Sequence, residues 1–144
     1  MLYFERPFIK ISWNDDIQCV ESEWFDFSFG PSYREAVDKA LELLQKMNGS
    51  RSFSDMRRAS VLTEEDAKWI IAKWMPRASA AGLRKIAVIP PSAVLAQMQL
   101  DQLRKKGGHE QSVHLGIITE YFMSPESARR WLATDDLRRP KTLV

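Results

Sequence analysis

Residues 54–70, SDMRRASVLTEEDAKWI, mark a transition from a β-strand to an α-helix. A strand pattern over 51–55 ends at Asp55, and Thr63 is a residue type that commonly begins helices. The acidic residues that follow, Glu64 to Asp66, suit the positive end of a helix dipole. A strand, a short loop and a helix form the repeating unit of α/β folds. The stretch therefore indicates that class.

Strand and helix patterns alternate on both sides of this unit. The predicted strands are 8–13, 17–25, 51–55, 85–90 and 113–122, and the predicted helices are 32–48, 63–82, 92–106 and 124–133. This order predicts an α/β fold with a single mixed sheet of about five strands and about four helices. We expect residues 1–134 to form one domain and residues 135–144 to form a flexible C-terminal tail.

Residues with strong positional preferences predict where the helices begin, bend and end. Ser32 and Ser92 are expected to be N-caps, and Gly49 is expected to adopt the left-handed conformation that ends a helix. Pro76 lies inside the second predicted helix and removes one amide hydrogen bond. We therefore expect this helix to kink close to Pro76.

Composition narrows the classes of function. The chain has 144 residues and a net charge of +2, from 21 basic and 19 acidic residues. Because so small a net charge creates no strong field, neither nucleic-acid binding nor membrane insertion is expected. Glu5 and Arg6 interrupt the region where a signal peptide would be apolar, and the single cysteine, Cys19, suits a reducing compartment. We therefore expect a cytoplasmic location.

Several segments carry a similarity to a known family. The most specific is Trp74-Met75-Pro76-Arg77-Ala78, followed by Ala81-Gly82-Leu83, and others are Ser54–Arg57, Ala87–Pro90 and Glu120–Leu132. The chain resembles small bacterial STAS-like proteins (SpoIIAA-like, also labelled STAS/SEC14-like), which are related to anti-sigma-factor antagonists. The resemblance implies a STAS-like α/β fold. It implies no reaction, because most members of the family have no assigned activity.

Ser60 is a candidate phosphorylation site. Related antagonists carry a phosphorylatable serine beside an acidic residue, but here Asp55 is followed by Met56. Ser60 follows Arg57 and Arg58, and a phosphate there would lie near a helix N-terminus. The alternative is an ordinary loop serine whose neighbouring arginines are solvated or pair with the acids of the next helix. Because short basic patterns arise by chance, the loop serine is favoured.

No catalytic residue, metal ligand or cofactor is predicted. Asp55 lies at a strand end, where a catalytic carboxylate or, with Arg57, a group that binds a ligand or partner could lie, but hydrogen bonding to the loop amides of residues 57–59 is favoured. No second carboxylate or histidine has a spacing typical of acid–base catalysis. His109 and His114 lack the spacing of a metal motif. An enzyme is therefore the least favoured class.

Three apolar residues predict a binding surface. Trp69 falls on the outward side of the second helix, and Leu100 and Leu103 belong to a broad apolar arc on the third. Since large exposed apolar patches mark interfaces, we expect a homodimer or another protein partner. The favoured function is a non-catalytic, regulatory protein–protein association module. The alternative is a binder or carrier of a small apolar, lipid-like ligand, held between the second helix and the sheet.

Overall fold

A six-stranded mixed β-sheet forms the centre of the protein. The structure, a computed structural model, describes residues 1–134. The strands lie side by side in sequence order. The first three form an antiparallel meander, and the last three continue the sheet in parallel with the third. The strands are β1 Leu2–Arg6, β2 Ile9–Asn14, β3 Cys19–Trp24, β4 Arg51–Asp55, β5 Lys85–Ile89 and β6 Ile118–Tyr121.

Four helical stretches cover the sheet within residues 1–134. They are α1 Gly30–Lys46; α2 Glu64–Trp69, a π-helical turn Ile70–Trp74 and α3 Met75–Ala80; α4 Val94–Leu103, a broken turn Arg104–Gly108 and α5 His109–Leu115; and α6 Pro125–Leu132. The first three stretches each connect neighbouring parallel strands and lie on one face of the sheet, as right-handed crossovers require. α6 packs on the opposite face, against β4 and β5. The predicted α/β class with one mixed sheet is confirmed.

Each face of the sheet has its own hydrophobic core. On the face covered by α1 to α5, which we call the three-helix face, Ile9, Ile11 and Trp13 are buried together, as their alternation predicts. On the α6 face, Cys19 and Phe53 belong to the core that α6 covers. Burial raises the pKa of the Cys19 thiol above its ordinary value, which keeps the thiol protonated.

The ends of α1 differ from the prediction. The helix begins at Gly30, before Ser32, and the residue in the N-cap position, Phe29, supplies no side-chain cap. The buried carboxylate of Asp66 accepts the Gly30 amide at 2.8 Å and satisfies this end of the helix from a distant segment. At the other end, Asn48 adopts the left-handed conformation that was predicted for Gly49.

Two further assignments were wrong. Residues 109–115 form α5, whereas the sequence predicted a strand over 113–122, of which only Ile118–Tyr121 is extended. Gly116 has φ = 73° and ends α5, so the strand starts beyond it. Ser92 does not cap α4, which starts at Val94 without a side-chain cap. The sequence prediction also omitted β1.

Pro76 follows a π-helical turn at Ile70–Trp74, and the predicted kink of the helix axis stays a prediction. The Met75 amide bonds to the carbonyl of Ile70, five residues back, which widens the helix into a π-turn. The side chain of Gln111 donates to the Ile71 carbonyl at 3.3 Å. The turn between α4 and α5 also leaves helical geometry, and Gly107 there has φ = 118°.

Within the described residues, no helix combines the length and the apolar character needed to cross a membrane. The predicted flexible tail, 135–144, lies outside the part of the chain that the structure describes.

Candidate functional site

A cavity of about 240 Å³, which we call the main cavity, lies between the sheet and the helices of the three-helix face. Small residues contribute to its wall, among them Ala36 and Ala40 of α1 and Ser52 and Ser54 of β4. The rest of the wall is mostly apolar and aromatic. It includes Trp24, Val37, Ile71, Trp74, Val88 and Leu103.

The cavity extends to the carboxyl ends of the parallel strands, where α/β folds commonly bind ligands. The loop between β4 and α2 covers it there, through residues 59–62. The Leu62 amide donates to Oε1 of Gln99 at 2.6 Å, and Nε2 of Gln99 donates back to the Leu62 carbonyl. One side chain of α4 therefore holds this loop, which we call the cover loop, at both backbone polar groups.

Polar groups are few in this wall, and most are hydroxyls. Ser22, Ser52, Ser54 and Thr119 lie on the sheet, and the wall also includes two tyrosines. Burial raises the pKa of Tyr33 and of Tyr121, so both phenols stay protonated hydrogen-bond donors. The guanidinium of Arg104 lies 4.4 Å from the centre of the Tyr121 ring.

Asp55 and Arg57 lie together, but not in the main cavity. They form a bidentate pair, with Nε to Oδ1 at 3.0 Å and Nη2 to Oδ2 at 2.6 Å. The Arg57 backbone amide also donates to Asp55, as the structural alternative predicted. Burial acts to raise the pKa of Asp55, but the hydrogen bonds from Arg57 outweigh it, and the pKa lies below its ordinary value.

The surroundings of this pair form a polar cleft of about 320 Å³ on the α6 side. A second bidentate pair lies beside it, with Nε and Nη2 of Arg129 each 2.9 Å from Glu21. Each arginine therefore forms a bidentate ion pair with a carboxylate. The cleft is lined by these ion pairs, and the Arg129–Glu21 pair joins α6 to the meander.

Trp69, whose position on its helix allowed either packing against another segment or exposure to a partner, is half-buried. Its ring lies 5.1 Å from the Arg34 guanidinium and 5.9 Å from that of Arg77. It packs against the core of the three-helix face. Arg34 of α1 therefore contacts two residues of α2, the ring of Trp69 and the buried carboxylate of Asp66, and these contacts join the two helices.

Leu100 and Leu103, predicted to bind a ligand or a partner, line the main cavity. Both are half-buried. The exposed apolar residues of α4 are instead Val94, Leu95 and Met98, with 69%, 74% and 55% of their surfaces accessible. Any association through α4 must use this outward strip.

Ser60 is exposed in the cover loop. Of the two arginines before it, Arg57 pairs with Asp55, and Arg58 lies over the Phe25 ring at 4.9 Å. Both arginines are exposed, which agrees with the solvated form of the loop-serine alternative and not with pairing to the acids of α2. Phosphorylation of Ser60 stays a prediction.

Sequence reasoning missed the serines of the cavity floor. Ser22 is in phase with Val20 and Trp24 on β3, and Ser54 is paired with Ser22 across the strands. Small hydroxyl side chains at inward-facing positions of two neighbouring strands could have predicted a cavity in the core. Across residues 1–134, the structure brings no three histidines, cysteines or carboxylates into a metal-binding cluster.

Comparisons of the chain with protein-family models, curated proteins and solved structures find no match. The resemblance to STAS-like proteins therefore stays a prediction, and the functional argument rests on the geometry.

Proposed function

We propose that the protein binds a small apolar molecule in the main cavity and acts as its carrier or sensor. The observation that carries the proposal is the cavity itself, about 240 Å³ walled by apolar and aromatic side chains. Protein interiors are close-packed, with few voids larger than a water molecule. A space of this size within the core of a small domain is therefore more typical of a binding site than of packing.

The volume defines the size of ligand. An apolar cavity of about 150 Å³ accommodates benzene. By the same ratio of volume to atoms, the main cavity has room for on the order of ten non-hydrogen atoms. A ring system or a short acyl chain fits this limit, whereas a two-chain lipid exceeds it.

The cover loop supplies a route for entry. It lies over the cavity near the strand ends, and Gln99 of α4 holds it through Leu62. Loops open locally at lower free energy than core elements. Movement of this loop would admit a ligand without disturbing the sheet.

Calorimetric titration with 2-naphthol, a probe of the expected size, tests the proposal. We expect saturable binding at one site, loss of binding in Leu103→Trp, which fills the cavity, and unchanged binding in Gln102→Trp, an exposed neighbour on the same helix. A wild-type protein that gives no binding, or a Leu103→Trp variant that binds as tightly as wild type, would overturn the proposal.

A second candidate is association between two copies, in keeping with the regulatory, non-catalytic module that the residue pattern predicts. It is supported by the exposed strip of Val94, Leu95 and Met98 on α4. Sedimentation analysis should then show a dimer that Leu95→Glu dissociates and Gln97→Glu, at another exposed position, leaves intact. A monomeric wild-type protein at tens of micromolar would contradict this candidate.

A further inference from the structure

The floor of the main cavity bears a cluster of three hydroxyls. Ser22 on β3 is directly opposite Ser54 on β4, and Ser52 lies two residues before Ser54 on the same face. Neighbouring strands are about 4.8 Å apart, and residues two apart along a strand are about 6.6 Å apart. One polar group of a ligand can therefore reach two of these hydroxyls at once.

These hydroxyls have no protein partners. Among residues 1–134, no hydrogen bond is seen from Oγ of Ser22, Ser52 or Ser54 to another protein group. Ser22 is 93% buried, since only 7% of its surface is accessible. None of the three oxygens is fully enclosed by protein, so each is accessible to a molecule in the cavity. The cluster is therefore arranged for hydrogen bonds with something that enters the cavity.

The charged or titratable residues that line the cavity do not lie on the strands that carry the three serines. Asp26 and His109 are exposed, and Arg104 is half-buried against Tyr121. On the strands that form the floor, the cavity-facing residues are uncharged. A carboxylate or phosphate at the serines would lack a cation, and burying an unpaired charge is costly. The group that the serines accept must be neutral.

We infer that the ligand is an apolar molecule with one neutral hydrogen-bonding group, a hydroxyl, carbonyl or amide, which binds Ser22, Ser52 and Ser54 at its buried end. This inference rests on the proposed function and specifies the class of ligand. The apolar remainder packs against the aromatic wall formed by Trp24 and Trp74. Each end of the ligand thus meets a surface of matching polarity.

A matched pair of probes tests the inference. 2-Naphthol and 2-methylnaphthalene have the same shape and differ only in a hydroxyl and a methyl group. We expect 2-naphthol to bind about tenfold more tightly, as a gain of about 1.4 kcal/mol from hydrogen bonds requires. Ser54→Ala and Ser22→Ala should each remove most of this preference, and Ser32→Ala, at an exposed position on α1, should leave it unchanged.

The outcomes separate the two claims. Equal affinities for the two probes, or a preference that survives both cavity substitutions, would overturn the inference and leave the binding function standing. Absence of binding by either probe would overturn the binding function as well. The thermal midpoint of each variant is measured alongside, and if one variant does not fold, the other decides the result.

Discussion

Gln99 and Leu62 form a two-point contact, in which the side-chain amide of Gln99 accepts from the backbone N–H of Leu62 and donates to its C=O. Like a residue in a neighbouring β-strand, the Gln99 side chain bonds to both the N–H and the C=O of one residue, but here it joins a helix to a loop. It holds the cover loop against α4. The contact therefore limits movement of the cover loop at the edge of the main cavity.

Replacing Gln99 should loosen the cover loop. In Gln99→Leu both hydrogen bonds are lost, each worth about 1 kcal/mol. We expect faster hydrogen exchange at the Leu62 amide and faster dissociation of 2-naphthol. Gln97→Leu, at an exposed position on the same helix, is the matched control. Unchanged exchange at Leu62 in Gln99→Leu would show that the contact does not hold the loop.

Asp66 should be the most costly acidic residue to replace. It is 1% exposed, caps α1 through the Gly30 amide, and accepts from Nε of Arg34 at 3.1 Å. Asp66→Ala should lower the free energy of unfolding by about 2 to 4 kcal/mol. Asp38→Ala removes an exposed ion pair with Arg77 and should cost less than about 1 kcal/mol. Urea denaturation compares them, and similar losses would contradict the assignment.

The Asp55–Arg57 pair should make stability depend on pH in the acidic range. Because the pKa of Asp55 in the folded protein lies below its ordinary value of 3.8, the ionised carboxylate is stabilised by folding. Its contribution is fully present above about pH 4 and is lost as the pH falls through the folded-state pKa. The difference in unfolding free energy between wild type and Asp55→Asn should therefore shrink below about pH 4. A difference that is constant from neutral to acidic pH would exclude this role.

Lys85 should hold the C-terminal end of α6 in place. Its side chain is buried, and Nζ donates to the carbonyls of Trp131 and Thr134 at 3.0 and 2.9 Å. Lys85→Met keeps the length of the side chain but leaves these carbonyls without this donor. We expect a loss of about 2 kcal/mol and faster hydrogen exchange in α6. Lys105→Met, at an exposed position, serves as the control, and equal stability of the two variants would refute this role.

The sequence predicted the elements whose patterns are long or bounded by strong signals. Ser124 is the N-cap of α6, as predicted, and its hydroxyl accepts a hydrogen bond from the Ser127 amide. β1 was missed because its register shifts between Leu2 and Phe4, which interrupts the alternation in a short strand. Residues 109–115 were mistaken for a strand because a few alternating residues do not separate a strand from a short helix.

The candidate site was less predictable, because a cavity depends on how two layers pack. Helical projection placed Leu100 and Leu103 on an apolar arc but could not show which part of the arc faces the sheet. The environment of Trp69 could not be predicted from its own helix, because the two arginines that contact its ring lie on other helices. Arg34 belongs to α1 and Arg77 to α3. The hydrogen bond from the Arg57 amide to Asp55 was predicted, because it joins residues two apart in the chain, whereas the pairing of their side chains was not.

A crystal structure of the protein grown with 2-naphthol tests the central claim most directly. The account predicts the naphthalene ring between α1 and the sheet, against Trp24 and Trp74, with its hydroxyl within hydrogen-bond distance of Ser22 or Ser54. A probe that saturates the protein in solution but is bound elsewhere, with the main cavity empty or filled only by water, would contradict it.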